Sequence, residues 1–280
     1  MNNWNELLNR IRADRQRGSS HLYQQTLDII AKAALDSGIT NRSEIGAIIQ
    51  SVYQAQPAMA PFHYLAHRLE GVIDGPESDI TARVISLIDE LKRAAQLAGE
   101  MIAGNFERFN LSPRSVMLHS NSATVRELIC QCFNHQTTIF LSEARPDLEG
   151  LLLAGDLVIE GFVVKTFVDD ARAAVMKDVD LVVIGADWVS ETDFTNKIGT
   201  YSLALTAREL GKPVYVAADR TKFVSRSSRA SLSPSLAFAD TFYQDQLFEE
   251  TPNQLVTSFV TDSGILTPQQ TAFQFETIRG

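Results

Sequence analysis

Five short apolar runs in the second half of the chain constrain its fold most: Val116-Met117-Leu118, Thr138-Ile139-Phe140-Leu141, Phe162-Val163-Val164, Leu181-Val182-Val183-Ile184 and Val214 to Ala217. Runs that are apolar at every position, without polar alternation, suit strands covered on both faces. Segments of helical character separate them, at 122–133, 147–156, 169–177 and 196–210. Parallel strands need a crossover between them, and helices on both faces supply it, so this alternation predicts a doubly wound parallel sheet. Val256 to Thr261 reads as one further strand.

The first part of the chain has a different period. Apolar residues fall at helical intervals from Gln24 to Leu35, with a stop at Gly38, and again from Ser43 through Ile45, Ile48, Ile49 and Val52. Pro57 and Pro61 punctuate the chain, Phe62 to Leu69 continues helically, and a long regular stripe runs from Ile80 to about Phe106. The expected architecture is α/β: a helical N-terminal domain over 1–108, followed by a Rossmann-like α/β domain over 109–280. Ser225 to Ser235 is Ser-rich and reads as a surface loop.

Two residues carry the first functional signal. Gly185-Ala186 ends the fourth run and leaves Asp187 at the carboxyl edge of its strand, where open α/β sheets place their ligands. A helix is expected to begin near Asn196, which sets Lys197 and the free N–H groups of a helix start beside that carboxylate. A phosphate suits the lysine and the N–H groups, and proton transfer suits the aspartate. Further residues converge on the same edge of a parallel sheet. Ser120 and Asn121 follow the first strand, where Ser122 to Thr124 can also serve as helix caps. Arg145, fixed by Pro146, follows the second, and its guanidinium can grip phosphate oxygens in a fork. Asp219 and Arg220 follow the strand Val214 to Ala217. His119 is either a proton carrier or a hydrogen-bonded strand-end residue.

Composition narrows the partners. The 280 residues carry a formal net charge of −9, with 45% apolar and 21% charged side chains, an ordinary globular balance. Nucleic acid is not an expected direct partner, because phosphate neutralisation needs clustered Lys and Arg. A membrane is not expected either: no apolar stretch approaches the roughly 18–20 residues that span a bilayer. The start, Met1-Asn2-Asn3-Trp4-Asn5-Glu6, lacks the basic flank and apolar run of a secretory signal. Cys130 and Cys132, two apart on an apparent helix, point to different faces and suit a reducing cytoplasm. The five histidines show no metal-ligand spacing, so no metal is expected; no cofactor is expected either.

Several blocks, taken in order, carry a resemblance. They are Arg17-Gly18-Ser19-Ser20, Ala58-Met59-Ala60-Pro61, Leu118 to Val125, Glu143-Ala144-Arg145-Pro146, Gly185 to Thr200, Phe248-Glu249-Glu250-Thr251-Pro252, Leu255-Val256-Thr257 and Thr261-Asp262-Ser263-Gly264. The chain resembles the family that joins the α, β and δ regulatory subunits of eukaryotic initiation factor 2B to two isomerases. Those isomerases act on methylthioribose 1-phosphate and ribose 1,5-bisphosphate. The resemblance implies a phosphorylated pentose or a nucleotide as ligand and makes Arg17-Gly18-Ser19 a phosphate loop, where glycine lets the backbone approach an anion. It adds Asn121, Arg145, Asn196 and Lys197 as binding residues and Asp187 with Ser120 as the catalytic pair. It also implies a homodimer or larger even assembly, in which the Phe248 to Pro252 and Leu255 to Thr261 blocks take part.

One departure matters. The isomerases have cysteine where Ser120 stands. A thiol ionises near pH 8.5, whereas an aliphatic hydroxyl keeps its proton unless a base activates it. The expected function is therefore phosphorylated-pentose binding at an isomerase-like site (aldose 1-phosphate to ketose phosphate) weakened by serine. The alternative is a non-catalytic regulatory subunit that senses a sugar phosphate or nucleotide. A dinucleotide-dependent oxidoreductase fits poorly, because the turn after the first strand lacks Gly-x-Gly-x-x-Gly.

Overall fold

The computed structural model describes residues 3–14, 17–37, 39–225, 236–238, 241–243 and 247–272; Gly38 and residues 226–235 of the Ser-rich segment lie outside them. Five helices come first: α1 (Asn3–Ala13), α2 (Ser19–Ser37), α3 (Arg42–Ala55), α4 (Ala60–Ile73) and α5 (Ile80–Glu107). Their apolar stripes meet in one cluster that includes Leu22, Leu27, Ile45, Ile49, Phe62, Leu65, Val84 and Ile88. The long α5 serves two cores. Ile80 to Leu91 pack among the helices, whereas Ile102 and Phe106 pack on the sheet.

After α5 the expected alternation follows: β1 (Ser115–Leu118), α6 (Ala123–Cys132), β2 (Thr138–Ser142), α7 (Glu149–Ile159) and β3 (Val163–Phe167). The segment expected as a helix over 169–177 is instead two 3₁₀ turns around a short α8 (Arg172–Val175). The Asp169 carboxylate explains the break. It accepts the N–H groups of Ala144 and Arg145 and the Arg172 guanidinium, so it anchors this stretch to a neighbouring loop. Then come β4 (Leu181–Gly185), β5 (Trp188–Val189), β6 (Asp193–Lys197), α9 (Thr200–Glu209), β7 (Val214–Ala217), β8 (Leu236–Phe238), β9 (Thr241–Tyr243), β10 (Phe248–Pro252), β11 (Ser258–Thr261) and β12 (Gly264–Leu266).

The main sheet has the order β12-β11-β7-β4-β1-β2-β3, parallel throughout except for the β11–β12 hairpin. Successive strand residues feed opposite cores. Val116, Leu118, Leu181 and Val183 pack under α5, α6 and α7, while Met117, Val182 and Ile184 pack against Leu203 and Ala207 of α9. Both faces are covered, which is why these runs have no polar alternation. From β1 the chain first winds outward through β2 and β3, then returns to β4 on β1's other side and continues through β7 and β11. The carboxyl ends of β1 and β4 therefore flank the topological switch point, where such sheets open a crevice.

Candidate functional site

A cavity of about 430 Å³ opens at that point. Its lining includes Arg17, Gly18 and Ser19 before and at the start of α2, Pro57 to Met59 before α4, and Ser120 to Thr124 after β1. Asp187, Asn196, Lys197, Lys222 and Phe248 complete its polar floor and one apolar edge. Eight of the expected residues thus meet in one place: Arg17, Gly18, Ser19, Ser120, Asn121, Asp187, Asn196 and Lys197. Arg145 does not line it. Its guanidinium lies 3.4 Å from Glu143, with the side chain 66% exposed, and its backbone N–H is held by Asp169.

Close backbone approach builds the cavity wall. A Cβ on Gly18 would stand 2.9 Å from the Asn121 carbonyl oxygen, so only glycine lets the α2 entry lie against the β1 turn. A Cβ on Gly185 would meet the Ser122 hydroxyl at 2.8 Å, which explains the glycine that closes β4. Ser122 caps α6 by accepting the Val125 N–H. The starts of α2, α4 and α6 all face the cavity, and none has an acidic residue in its first turn. The starts of α2 and α6 bring N–H dipoles to the cavity, the arrangement that favours an anion, whereas at α4 the Ala60 N–H is taken by the Asp187 carbonyl and Pro61 has none.

Asp187 is held from three sides. Its N–H donates to Thr195, its carbonyl accepts the Ala60 N–H at the start of α4, and its carboxylate accepts the Ser19 hydroxyl at 2.5 Å. Ser19 in turn accepts from Lys222, which is 2% exposed on a 3₁₀ turn after β7. The lysine charge reaches the carboxylate through one hydroxyl.

Ser120 adopts φ 71°, a left-handed conformation that costs a non-glycine residue on the order of 1 kcal/mol. Its hydroxyl donates to Glu149 Oε1 at 3.0 Å. The same oxygen lies 2.8 Å from Lys197 Nζ, and Asp147 is 3.8 Å from that ammonium. Burial pushes the Glu149 carboxyl above its ordinary range, while Lys197 and the Ser120 hydroxyl pull it back. Asn196 donates to the Thr200 hydroxyl at 3.0 Å.

Three expectations change. The helix expected from Asn196 begins at Thr200, because Asp193 to Lys197 pair antiparallel with β10 and Gly199 turns the chain at φ 98°. The start of that helix is also closed to a ligand: the Glu249 carboxylate takes the N–H groups of Gly199 and Tyr201 at 2.6 and 2.8 Å. His119 is structural. Its ring lies 2.9 Å from the Ile198 carbonyl and 2.7 Å from the Ser142 hydroxyl. A carbonyl only accepts, so Nε2 carries the proton and Nδ1 accepts from Ser142. Burial and the Arg172 charge depress its pKa to about 4, which leaves it neutral near pH 7.

Asp219 and Arg220 are also structural: Asp219 caps the 3₁₀ turn, and Arg220 pairs with Asp262 at 2.6 Å. The residue of that turn that reaches the cavity is Lys222, which the sequence does not distinguish from a surface lysine. Glu149 reaches the cavity too. Its sequence signal was a lone acid at a helix start, indistinguishable from an ordinary cap.

The initiation factor 2 subunit family model matches residues 15–268. The chain belongs to that family. A putative translation initiation factor eIF-2B subunit 2-like protein of Pyrococcus horikoshii is 25% identical over 271 residues, covering 94% of this chain and 96% of that protein. A ribose 1,5-bisphosphate isomerase of Methanocaldococcus jannaschii is 30% identical over 209 residues, 69% of this chain and 68% of its own. The crystal structure of the Pyrococcus horikoshii translation initiation factor eIF-2B superposes with a TM-score of 0.82 at 24% identity, covering 95% and 97% of the two chains. Family members thus include both initiation-factor-like proteins and sugar-phosphate isomerases. Among the described residues no helix is long and apolar enough to cross a membrane, and no three His, Cys, Asp or Glu side chains gather as a metal cage.

Proposed function

We propose that this family member binds a phosphorylated pentose in the switch-point cavity, with Asp187 as acid–base residue of an aldose–ketose isomerisation that serine at 120 slows. The observation that carries the reading is the meeting of two helix starts without first-turn acids, those of α2 and α6, around one aspartate. The phosphate belongs at those starts, with Arg17, itself paired with Asp14 at 3.3 Å but half exposed, beside them. Lys197 is already paired with Glu149, so its charge is less available to phosphate than its position suggests. Asp187, bridged by Ser19 to Lys222, faces the sugar.

A second reading, a sensor without turnover, is favoured by one observation: the Ser120 hydroxyl is committed to Glu149. Calorimetry with ribose 1,5-bisphosphate, methylthioribose 1-phosphate and nucleoside monophosphates, followed by a turnover assay of whichever binds, separates the two. Binding with turnover that Ser120→Cys raises and Asp187→Asn abolishes supports the isomerase. Binding with no turnover in either background supports the sensor. Absence of binding by all of these ligands defeats both.

We also infer self-association. The Phe248 to Pro252 and Leu255 to Thr261 blocks are engaged within the chain, as β10, the α9 cap and buried β11. The surface that suits a second copy is the outer stripe of α7, where Leu151, Leu152, Val158 and Ile159 are exposed beside the edge strand β3. Sedimentation showing a monomer at micromolar concentration rejects this.

A further inference from the structure

Glu149 and Lys197 line the cavity, although only 4% and 3% of each residue is exposed. Both of the contacts described above, to Ser120 and to Lys197, use Glu149 Oε1. The other oxygen, Oε2, is buried without a hydrogen-bond partner. Buried polar atoms are nearly always satisfied, so an orphaned acceptor in a cavity wall marks where a donor arrives. An ionised carboxylate can only accept, and its complement is an O–H or N–H group rather than a phosphate oxygen.

Lys197 points to the same conclusion. Its ammonium faces two carboxylates, Glu149 at 2.8 Å and Asp147 at 3.8 Å. A phosphate brought to it would have to displace Glu149 and leave a buried carboxylate beside an incoming dianion. Like charges at such distances in a dry site repel strongly. The starts of α2 and α6, by contrast, present N–H groups with no first-turn acid, and Arg17 beside them is paired with Asp14 at 3.3 Å, on a side chain 55% exposed.

Resting on the phosphorylated-pentose reading above, we propose that Glu149 forms a hydroxyl-reading subsite that selects a pentose with one phosphate, held at the helix starts, and a free hydroxyl donating to Oε2. Glu149 is then a specificity residue: it accepts the right group and, by occupying Lys197, keeps that cation from a second phosphate. The burial that raises its carboxyl and the lysine that lowers it are both consistent with a group tuned by its neighbours.

The test is calorimetry with a matched pair of ligands, ribose 1-phosphate and ribose 1,5-bisphosphate, on the intact protein. The wild type is expected to bind the monophosphate at least about tenfold more tightly. Glu149→Gln removes the nearer of the two carboxylates facing Lys197 and should shift that ratio toward the bisphosphate by about tenfold or more. The double variant Glu149→Gln with Lys197→Gln, which removes both members of the pair, should lose the bisphosphate gain. Thermal melts confirm that each variant is folded, and the wild-type preference carries the test if Glu149→Gln is not. A wild type that prefers the bisphosphate overturns the proposal while leaving phosphopentose binding intact, and so does a ratio unmoved by Glu149→Gln. Binding of neither ligand by the wild type overturns the phosphopentose reading and this inference together.

Discussion

The helix starts at the cavity and the start of α9 use the same backbone chemistry for opposite ends. At α2 and α6 the first turns carry no acid and face open space. At α9 the N–H groups are filled by Glu249, Gly199 lies within reach of the buried Arg172 guanidinium, and His119 donates to Ile198 just before the turn. One region keeps its dipoles for a ligand, and the other spends them on the fold. A helix start is therefore not an anion site by position alone; what decides is whether the protein has supplied its own carboxylate.

Supplying one at the cavity should have the largest effect. Ala123→Glu, on an exposed residue in the first turn of α6, should weaken phosphopentose binding by about a hundredfold, through lost dipole attraction and direct repulsion. Calorimetry showing unchanged affinity would remove α6 from the anion site.

The sealed region should answer to pH instead. The folded pKa of His119, about 4, lies below the ordinary 6.5, so its neutral form is the one the fold accepts. Its stabilising effect is complete above pH 6.5 and is lost as pH falls from 6.5 toward 4. Between pH 7.5 and 5 this amounts to about 2 kcal/mol. Urea unfolding at the two pH values should show that loss in the wild type and a smaller one in His119→Asn; equal losses would place its source elsewhere.

Removing the α9 cap sharpens the contrast. Glu249→Gln should cost about 1–2 kcal/mol of stability by weakening two charge-assisted bonds, while ligand affinity moves by less than about twofold. A melting temperature unchanged within error contradicts the structural role. The smallest effect belongs to Arg145→Ala, which should leave affinity within about twofold because the guanidinium is exposed and outside the cavity. A tenfold loss would return Arg145 to the site.

The parts legible in the sequence were those whose pattern is local. Strands buried on both faces announced themselves as apolar runs, and the α5 stripe ran the length expected of it. Asp193 to Lys197 was misread because Asp-Phe-Thr-Asn-Lys looks neither apolar nor alternating, yet every one of its residues is buried by tertiary partners. Glu249 shows the same limit, since a carboxylate fifty residues away in sequence caps α9. For the site, the cluster around Asp187 was legible through strand-end position and family resemblance. The roles of Glu149 and Lys222 were not, because each is defined by what it touches: an ion pair with β6 in one case and a hydroxyl on α2 in the other.

The Ser19 contact would make the fold itself report on any ligand bound in the cavity. One hydroxyl ties the first helix turn of α2 to Asp187 and Lys222 on the sheet, and the ligand would fill the space this tie spans. Occupancy would then act as mortar between the helices and the sheet. At a hundred times its dissociation constant a ligand adds about 2.7 kcal/mol to whatever state it requires. The concentration of a small metabolite would thereby be transcribed into the stiffness of a joint, and slower amide exchange in α2 would be its readable signal.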